Sequence, residues 1–474
     1  MDYLQWMIFA LGVLASVLGA LHALFHKRDP RSAFAWVAIC LMWPLVGAGL
    51  YVLFGKNRIQ TRARKLHGAG VTEYNLVDYH TDMSVASRAI DENYRGLAVL
   101  SGVTSGRPLL TGTRVELLVN GEEAYPAMLE AIDAARTSVY LASYIFDGGG
   151  IGERFIESLA AAHHRGVEVR VLIDGVGLLY SVPRAAPRLA GRGVPVALYL
   201  PPSLLPPRFT INLRNHRKIL VVDGNIAFTG GMNIRQHHMA LSGKPHHRTE
   251  DIHFRLLGPV VQQLQNVFVS DWRFASNLAI NPPAYSAGAP RHGACARVIT
   301  DGPNDDLDTL TRIIVGAIGA ARQSIAIMTP YFLPARELDL ALQLAAMRGV
   351  RVQVILPDKN NMPFVNWAAF HMLSEMLGAG VEFYLYTGPF VHSKLLVVDD
   401  YYVQIGSANL DPRSLRLNFE VNVEIYDERI AQSLADYFAC ALALSQPLTA
   451  MQIARRPPLS RFAGGVFWLM SPFL

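Results

Sequence analysis

Two short segments of this chain carry the residue types that phosphodiester chemistry needs. His216-Arg217-Lys218-Ile219-Leu220-Val221-Val222-Asp223 and His392-Ser393-Lys394-Leu395-Leu396-Val397-Val398-Asp399 both read H-x-K-x4-D. In each, histidine and lysine are two apart, so on a strand their side chains share one face while Arg217 or Ser393 points the other way. Lysine neutralises phosphate oxygens as a point charge. Neutral imidazole can attack phosphorus, and its ordinary pKa of about 6.5 suits acid–base work. Two such sets, brought together, supply a nucleophile, a general acid and two lysines for one phosphate. Asp223 and Asp399 complete the catalytic candidates as the third letter of each motif. They sit seven positions after the histidine, an odd step, followed by Gly224 or Asp400. This spacing predicts them at the strand end, holding a turn or a lysine.

Polar residues downstream extend the pattern. Gly230-Gly231-Met232-Asn233 follows the first motif and Gly406-Ser407-Ala408-Asn409 the second. Asn233, Asn409 and Ser407 are candidates to bind phosphate oxygens or to orient the groups that do. Farther on, Asp251-Ile252-His253-Phe254 aligns with Glu420-Val421-Asn422-Val423. Asp251 and Glu420 are therefore candidates to hold a histidine ring in its useful tautomer. The pairs His163-His164, His237-His238 and His246-His247 read as surface or local packing residues, because no cysteine or acidic partner stands at metal-ligand spacing. The three cysteines, Cys40, Cys295 and Cys440, are far apart and include no C-x-x-C pair, so neither a zinc site nor a disulfide framework is indicated.

The elements that must position these residues are those of a duplicated α/β domain. Ala131–Ser138 matches Ala317–Ser324, and Gly166–Val171 matches Gly349–Val354, at nearly the same offset. Alanine-rich helical stretches alternate with short β-branched runs such as Val167–Ile173. A repeat this long is a domain duplication, not a solenoid. The expected architecture is two tandem α/β domains, each a mixed sheet flanked by helices, at 107–285 and 286–474. The boundary falls in the Pro/Gly/Ala-rich stretch Asn281–Gly293, and 59–106 reads as a linker with some helix.

Of the 474 residues 51% are hydrophobic and only 17% charged, a balance that suits membrane contact. Leu4–Phe25 and Ala33–Phe54 are each long enough to span a hydrocarbon core of about 30 Å. The short connection His26–Ser32 predicts a two-helix transmembrane hairpin over 1–58. Asp2 and the absence of an N-terminal base argue against a signal peptide. Lys56, Arg58, Arg62, Arg64 and Lys65 follow the second run with no acid among them, which predicts a cytoplasmic catalytic bulk and attraction to anionic head groups. The net charge of +5 is not arranged as a long basic stripe, so nucleic acid is not an expected partner. The apolar stretches Leu198–Phe209 and Met362–Leu373, and the tail Phe467–Leu474, are candidate lipid contacts.

With its doubled H-K-D motif the chain resembles the phospholipase D superfamily from about Leu110 onward. His216, Lys218, Asp223 and Asn233, with His392, Lys394, Asp399 and Asn409, match its motif positions, and Glu420 matches its histidine-orienting glutamate. Extra residues around Leu241–Arg248 change the spacing before Asp251. The resemblance implies one metal-independent site at the interface of two halves, without a cofactor, working through a phosphohistidine. Within that superfamily the chain resembles the bacterial cardiolipin synthases. The points of likeness are Trp36, Pro44, Gly47 and Tyr51–Gly55, the run Asn409-Leu410-Asp411-Pro412-Arg413-Ser414, and the apolar tail. This implies phosphatidyl transfer between two phosphatidylglycerol molecules, giving cardiolipin and glycerol, by a multi-pass protein of the bacterial inner membrane. A homo-oligomer is left open. The motif residues alone equally allow water or another head group as acceptor, or a different donor lipid.

Overall fold

A computed structural model of the protein describes residues 3–27, 30–55, 89–202, 213–242, 248–287, 293–304 and 306–469. Most of the expected linker, most of Leu198–Phe209, the extra residues at 243–247 and the last residues of the tail lie outside the described residues. The chain divides into two units, Met1–Lys65 and Leu66–Leu474.

In the first unit, α1 (Tyr3–His26) is 24 residues long and apolar, about 36 Å and enough to cross a membrane. It packs against α2 (Pro30–Met42). The apolar run Ala33–Phe54, expected as one span, is interrupted. Pro44 has no N–H to donate and disfavours helix at the residue before it. The chain therefore turns at Trp43–Leu45, where Leu45 takes a φ of +66°. It resumes as α3 (Val46–Leu50) and one π-helical turn over Tyr51–Gly55. That segment doubles back along α2. Gly47 lies on the backbone of Ile39 and Cys40, the Tyr51 ring sits 5.5 Å from that of Trp36, and the Tyr51 hydroxyl is 2.7 Å from His22 Nδ1.

The second unit opens with α4 (Arg95–Ser105), which packs on a helix of the second half; this end of the expected linker thus belongs to a core. The first half then runs β1 (Leu110–Val119), α5 (Asn120–Asp133), β2 (Ser138–Ser143), α6 (Ile151–His164), β3 (Glu168–Asp174), α7 (Ala185–Ala190), β4 (Val196–Tyr199), β5 (Arg214–Asn215), β6 (Ile219–Val222), β7 (Ile226–Gly230), β8 (Thr249–Glu250), β9 (Ile252–Leu257) and α8 (Val260–Ser276). The second half repeats it: β10 (Ala294–Asp301), α9 (Thr309–Ala320), β11 (Ser324–Met328), α10 (Arg336–Met347), β12 (Arg351–Pro357), α11 (Pro363–Gly378), β13 (Glu382–Tyr386), β14 (Phe390–Val391), β15 (Leu395–Val398), β16 (Tyr402–Gly406), α12 (Pro412–Arg416), β17 (Asn418–Tyr426), α13 (Glu428–Ala443) and β18 (Ser445–Leu448). It closes with α14 (Ala450–Ala454) and α15 (Pro458–Leu469).

The duplication is visible in the sheet. From the centre outward the first half orders its strands β1-β9-β7-β6-β2-β3-β4, and the second orders the equivalents β10-β17-β16-β15-β11-β12-β13, with β18 on its edge. The halves join where β1 pairs antiparallel with β10. The motif strands β6 and β15 are Ile-Leu-Val-Val and Leu-Leu-Val-Val, buried along their whole length. Such unbroken apolar runs suit strands covered on both faces, and each fully buried aliphatic side chain stabilises by about 1.5–3 kcal/mol. Each half keeps its own core.

Two short pairings exchange contacts between the halves. β5, just before His216, pairs in parallel with the start of β17, and β14, just before His392, pairs in parallel with β8. The backbone N–H of His216 donates to Phe419 O at 2.9 Å, and that of His392 to Glu250 O at 2.7 Å. Each motif is thus attached to the opposite half one residue before that half's orienting carboxylate.

Candidate active site

The exchanged pairings decide which acid meets which ring. His216 Nδ1 lies 3.0 Å from Glu420 Oε2, and His392 Nδ1 lies 2.8 Å from Asp251 Oδ2. Each histidine is held by the carboxylate of the other half, and both carboxylates are fully buried. With an ionised carboxylate at Nδ1, that nitrogen carries the proton and Nε2 keeps the lone pair that attacks or takes a proton, at His392 within reach of Lys394 Nζ.

The lysines crowd the same space. Lys218 Nζ donates to His216 O at 2.6 Å, and Lys394 Nζ donates to His392 O at 2.5 Å while lying 3.2 Å from His392 Nε2. Burial pushes Lys218 down to about 7 and Lys394 to about 8, against the pull of Glu420 on the first and of Asp251 and Glu420 on the second. Burial also lowers both imidazoles. Lys218 and Lys394 push each further, and His392, which feels His216 as well, falls well below the ordinary range. In the resting site both rings are therefore neutral, as an attacking nitrogen must be. The two halves act on each other as one electrostatic unit.

The two carboxylates differ. Burial works against the ionised form of Glu420, but His216, Lys218 and Ser407 outweigh it and its pKa is lowered. Ser407 Oγ donates to Oε2 at 2.5 Å and Asn418 Nδ2 to Oε1 at 3.2 Å. Ser407 accordingly orients Glu420. Its counterpart is Gly231, and a Cβ there would run into both oxygens of Asp251. Asp251 instead accepts from Ile252 N at 2.8 Å, and burial leaves its pKa raised.

The aspartates of the motifs stand elsewhere. Asp223 accepts from the backbone N–H groups of Arg136, Thr137 and Ser138, and Asp399 from those of Arg322, Gln323 and Ser324. Both have a φ near +50°, which aspartate tolerates better than most residues. Seven extended residues place them about 20 Å along the strand from the histidines. Expected among the catalytic residues, they are structural instead: they tie the far end of the motif strand to the turn before β2 or β11. The Asn233 side-chain oxygen accepts from Ile145 N–H at 3.1 Å, and the Asn409 side chain meets Asp411. Both are buried.

Comparison with known proteins identifies the family. A family model described as "Cardiolipin synthase, PLD-like domain" matches residues 128–272 and 314–441, and one described as "Phospholipase_D-nuclease N-terminal" matches 14–56. The chain is 31% identical to the major cardiolipin synthase ClsA of Bacillus subtilis (strain 168) over 98% of its own length and 99% of that protein. The chain belongs to the phospholipase D-like cardiolipin synthase family. Cardiolipin synthase A of Pseudomonas aeruginosa (strain LESB58) is 33% identical, with 100% of this chain and 96% of that one covered. In fold, this family member resembles the phosphatidylserine synthase of Haemophilus influenzae Rd KW20, with a TM-score of 0.61 at 16% identity, over 80% of this chain and 100% of that one.

Two histidines of this family member were not expected at the site. His238, read as a packing residue of a surface pair, is buried with its ring 6.2 Å from that of His392 and its Nδ1 4.0 Å from Asp251 Oδ2. His253 is buried and feels the charges of Asp251 and Lys218. Burial holds them neutral, at about 3 and about 4. The signal for His253 was its place two residues after Asp251, at the start of β9. Buried ion pairs brace the first motif and the segment before it: Arg214 with Asp174 at 3.2 Å and Arg217, inside the motif, with Asp271 at 2.7 Å.

Proposed function

We propose that this site transfers a phosphatidyl group from one phosphatidylglycerol to the primary hydroxyl of a second, giving cardiolipin and glycerol. The observation that carries the reading is the exchange of carboxylates, which sets one neutral imidazole from each half beside two lysines. His216 Nε2 attacks phosphorus, and the bond from phosphorus to the departing glycerol oxygen breaks. His392, protonated on both nitrogens beside Asp251 once the phosphate anion is bound, gives that oxygen its proton. The neutral His392 then takes a proton from the second lipid's hydroxyl; the new oxygen–phosphorus bond forms and the phosphorus–nitrogen bond breaks. His216 is assigned as nucleophile because Glu420, ionised and braced by Ser407, best stabilises the positive charge of its phosphorylated ring. Full-length protein incubated with phosphatidylglycerol alone should yield cardiolipin and glycerol in equal amounts. Phosphatidic acid in place of cardiolipin would make the acceptor water and refute the transfer reading.

The protein is membrane-associated through its first unit. We infer that α1 alone crosses the inner membrane, in place of a multi-pass hairpin, and that the catalytic unit is cytoplasmic. At 13 residues α2 reaches only about 20 Å, and the π-helical turn that follows α3 returns to it, with Tyr51 on Trp36. A re-entrant α2–α3 leaves Lys27, Arg31 and the bases from Lys56 to Lys65 on one side, where the positive-inside rule puts them together. A full second crossing would set the first group outside. A membrane-impermeant maleimide added to cells from outside should label Tyr3→Cys and spare Lys27→Cys. The inverse pattern would restore two crossings.

A further inference from the structure

The last helix presents a face that the core does not use. Along its inner side α15 packs closely on α11: a Cβ on Gly464 would lie 2.7 Å from Trp367 O, and the Phe467 ring sits 5.9 Å from Phe364 and 5.7 Å from Trp367. Its outer side carries Leu459, Phe462, Val466 and Leu469, spaced three or four residues apart and so forming one stripe. Leu459, Phe462 and Leu469 are 79%, 71% and 70% exposed. Arg455 and Arg461 flank the stripe, exposed, and the Arg456 guanidinium lies 4.1 Å over the Phe370 ring of α11. From Leu444 to the C-terminus there is no Asp or Glu.

The helix pair also connects to the site. Phe364 and Phe467 pack with Tyr331 and Met362 around Leu333, Val365 and Ala368. The Tyr331 ring is 6.4 Å from Phe390, and the Phe390 ring is 6.0 Å from His392. An apolar, largely aromatic track thus leads from the outward helix pair to the second histidine.

We propose that α15 and the adjoining end of α11 form a docking surface for an anionic bilayer, with the outer stripe of α15 in the acyl boundary. The track toward His392 then guides acyl chains while the phosphate reaches the imidazoles. This rests on the lipid substrates proposed above. A short apolar stripe rimmed by arginines without an acid matches a negatively charged lipid interface. It places the catalytic unit on the membrane by a second attachment, distinct from α1.

The test uses the full chain in phosphatidylglycerol vesicles. On a Cys440→Ser background, a nitroxide is attached at Phe462→Cys or, as control, at Gln432→Cys on exposed α13 surface. The label at 462 should be relaxed by oxygen and shielded from a water-soluble nickel chelate, with the reverse at 432. Nickel access at 462, or shielding from both agents with spin–spin broadening (a second copy covering the face), would overturn the proposal. In parallel, Phe462→Asp with Leu469→Asp should lower turnover in vesicles about tenfold and leave turnover of dispersed short-chain phosphatidylglycerol unchanged; equal loss on both overturns it. If unsubstituted protein makes no cardiolipin from the short-chain lipid, the reaction reading fails while the nitroxide result still reports the surface.

Discussion

Replacing Glu420 by Gln removes one charge while keeping an acceptor of the same shape 3.0 Å from His216 Nδ1. As the imidazole attacks phosphorus it becomes positive. Two unit charges about 4 Å apart interact by about 4 kcal/mol at an effective dielectric of about 20, and with the charge about half developed this becomes about 2 kcal/mol. Converting a charge-assisted hydrogen bond to a neutral one costs about 1 kcal/mol more. The total, about 3 kcal/mol, predicts that kcat falls roughly 10²-fold. KM should stay within about threefold, because the carboxylate faces the ring and not the phosphate. A second readout comes from Lys218, which binds phosphate only when protonated. With its pKa at about 7, the profile of kcat/KM should fall as pH rises through that region. Glu420 is the main group holding this pKa up; its loss should move the alkaline limb to lower pH. Substrate phosphate raises the lysine's pKa, so the limb of kcat should lie above that of kcat/KM. Steady-state assays across pH 5–9 (about two units either side of 7), with melting curves to establish folding, read both effects. A kcat within fivefold of the parent together with an unmoved limb would refute the assignment of Glu420 as the charge partner of His216.

Asp223→Ala and Asp399→Ala should each destabilise the fold by about 1–2 kcal/mol, mainly through the half-buried N–H of Ser138 or Ser324 left unpaired while the exposed N–H groups beside it turn to water, and turnover per folded molecule should stay within about threefold; urea titration and activity scaled to the folded fraction check this, and a hundredfold loss of specific activity would return them to the reacting set. Gly231→Ala drives a methyl into the Asp251 carboxylate and should cost about 1–3 kcal/mol of stability, with a much larger fractional loss of kcat through His392, measured on folded protein. His238 and His253, at about 3 and about 4 when folded, bind fewer protons in the native than in the unfolded state between those values and about 6.5. Stability is therefore fully present above about pH 6.5 and falls as pH decreases toward 4, by up to about 1.4 kcal/mol per unit for each ring. Urea midpoints from pH 7 to pH 4 should decline, and a flat profile down to pH 5 would mean that neither ring is buried neutral.

What the sequence made legible was whatever is written locally and twice. The H-x-K spacing, the apolar motif strands and the helix–strand alternation identified the duplicated α/β fold, and the odd step to Asp223 and Asp399 pointed to a strand end. Pro44 was equally visible, but apolarity alone does not separate a continuous span from one that turns back, and tertiary packing of Tyr51 on Trp36 decides it. The exchange of Glu420 and Asp251 was not legible. It depends on two parallel pairings of two residues each, too short to leave any periodicity, and on contacts between segments 204 and 141 positions apart. His238 was lost for the same reason, since only the fold carries a 3-10 turn under His392. A site built across a pseudo-two-fold axis hides its partners in this way, because alignment of the halves equates Asp251 with Glu420 without showing which ring each one serves. The same exchange explains why duplication is useful here. A histidine held by its own half would keep its tautomer whether or not the halves had docked. With the carboxylates traded, neither ring is oriented until both halves are in place, so assembly of the interface and completion of the nucleophile–acid pair are one event.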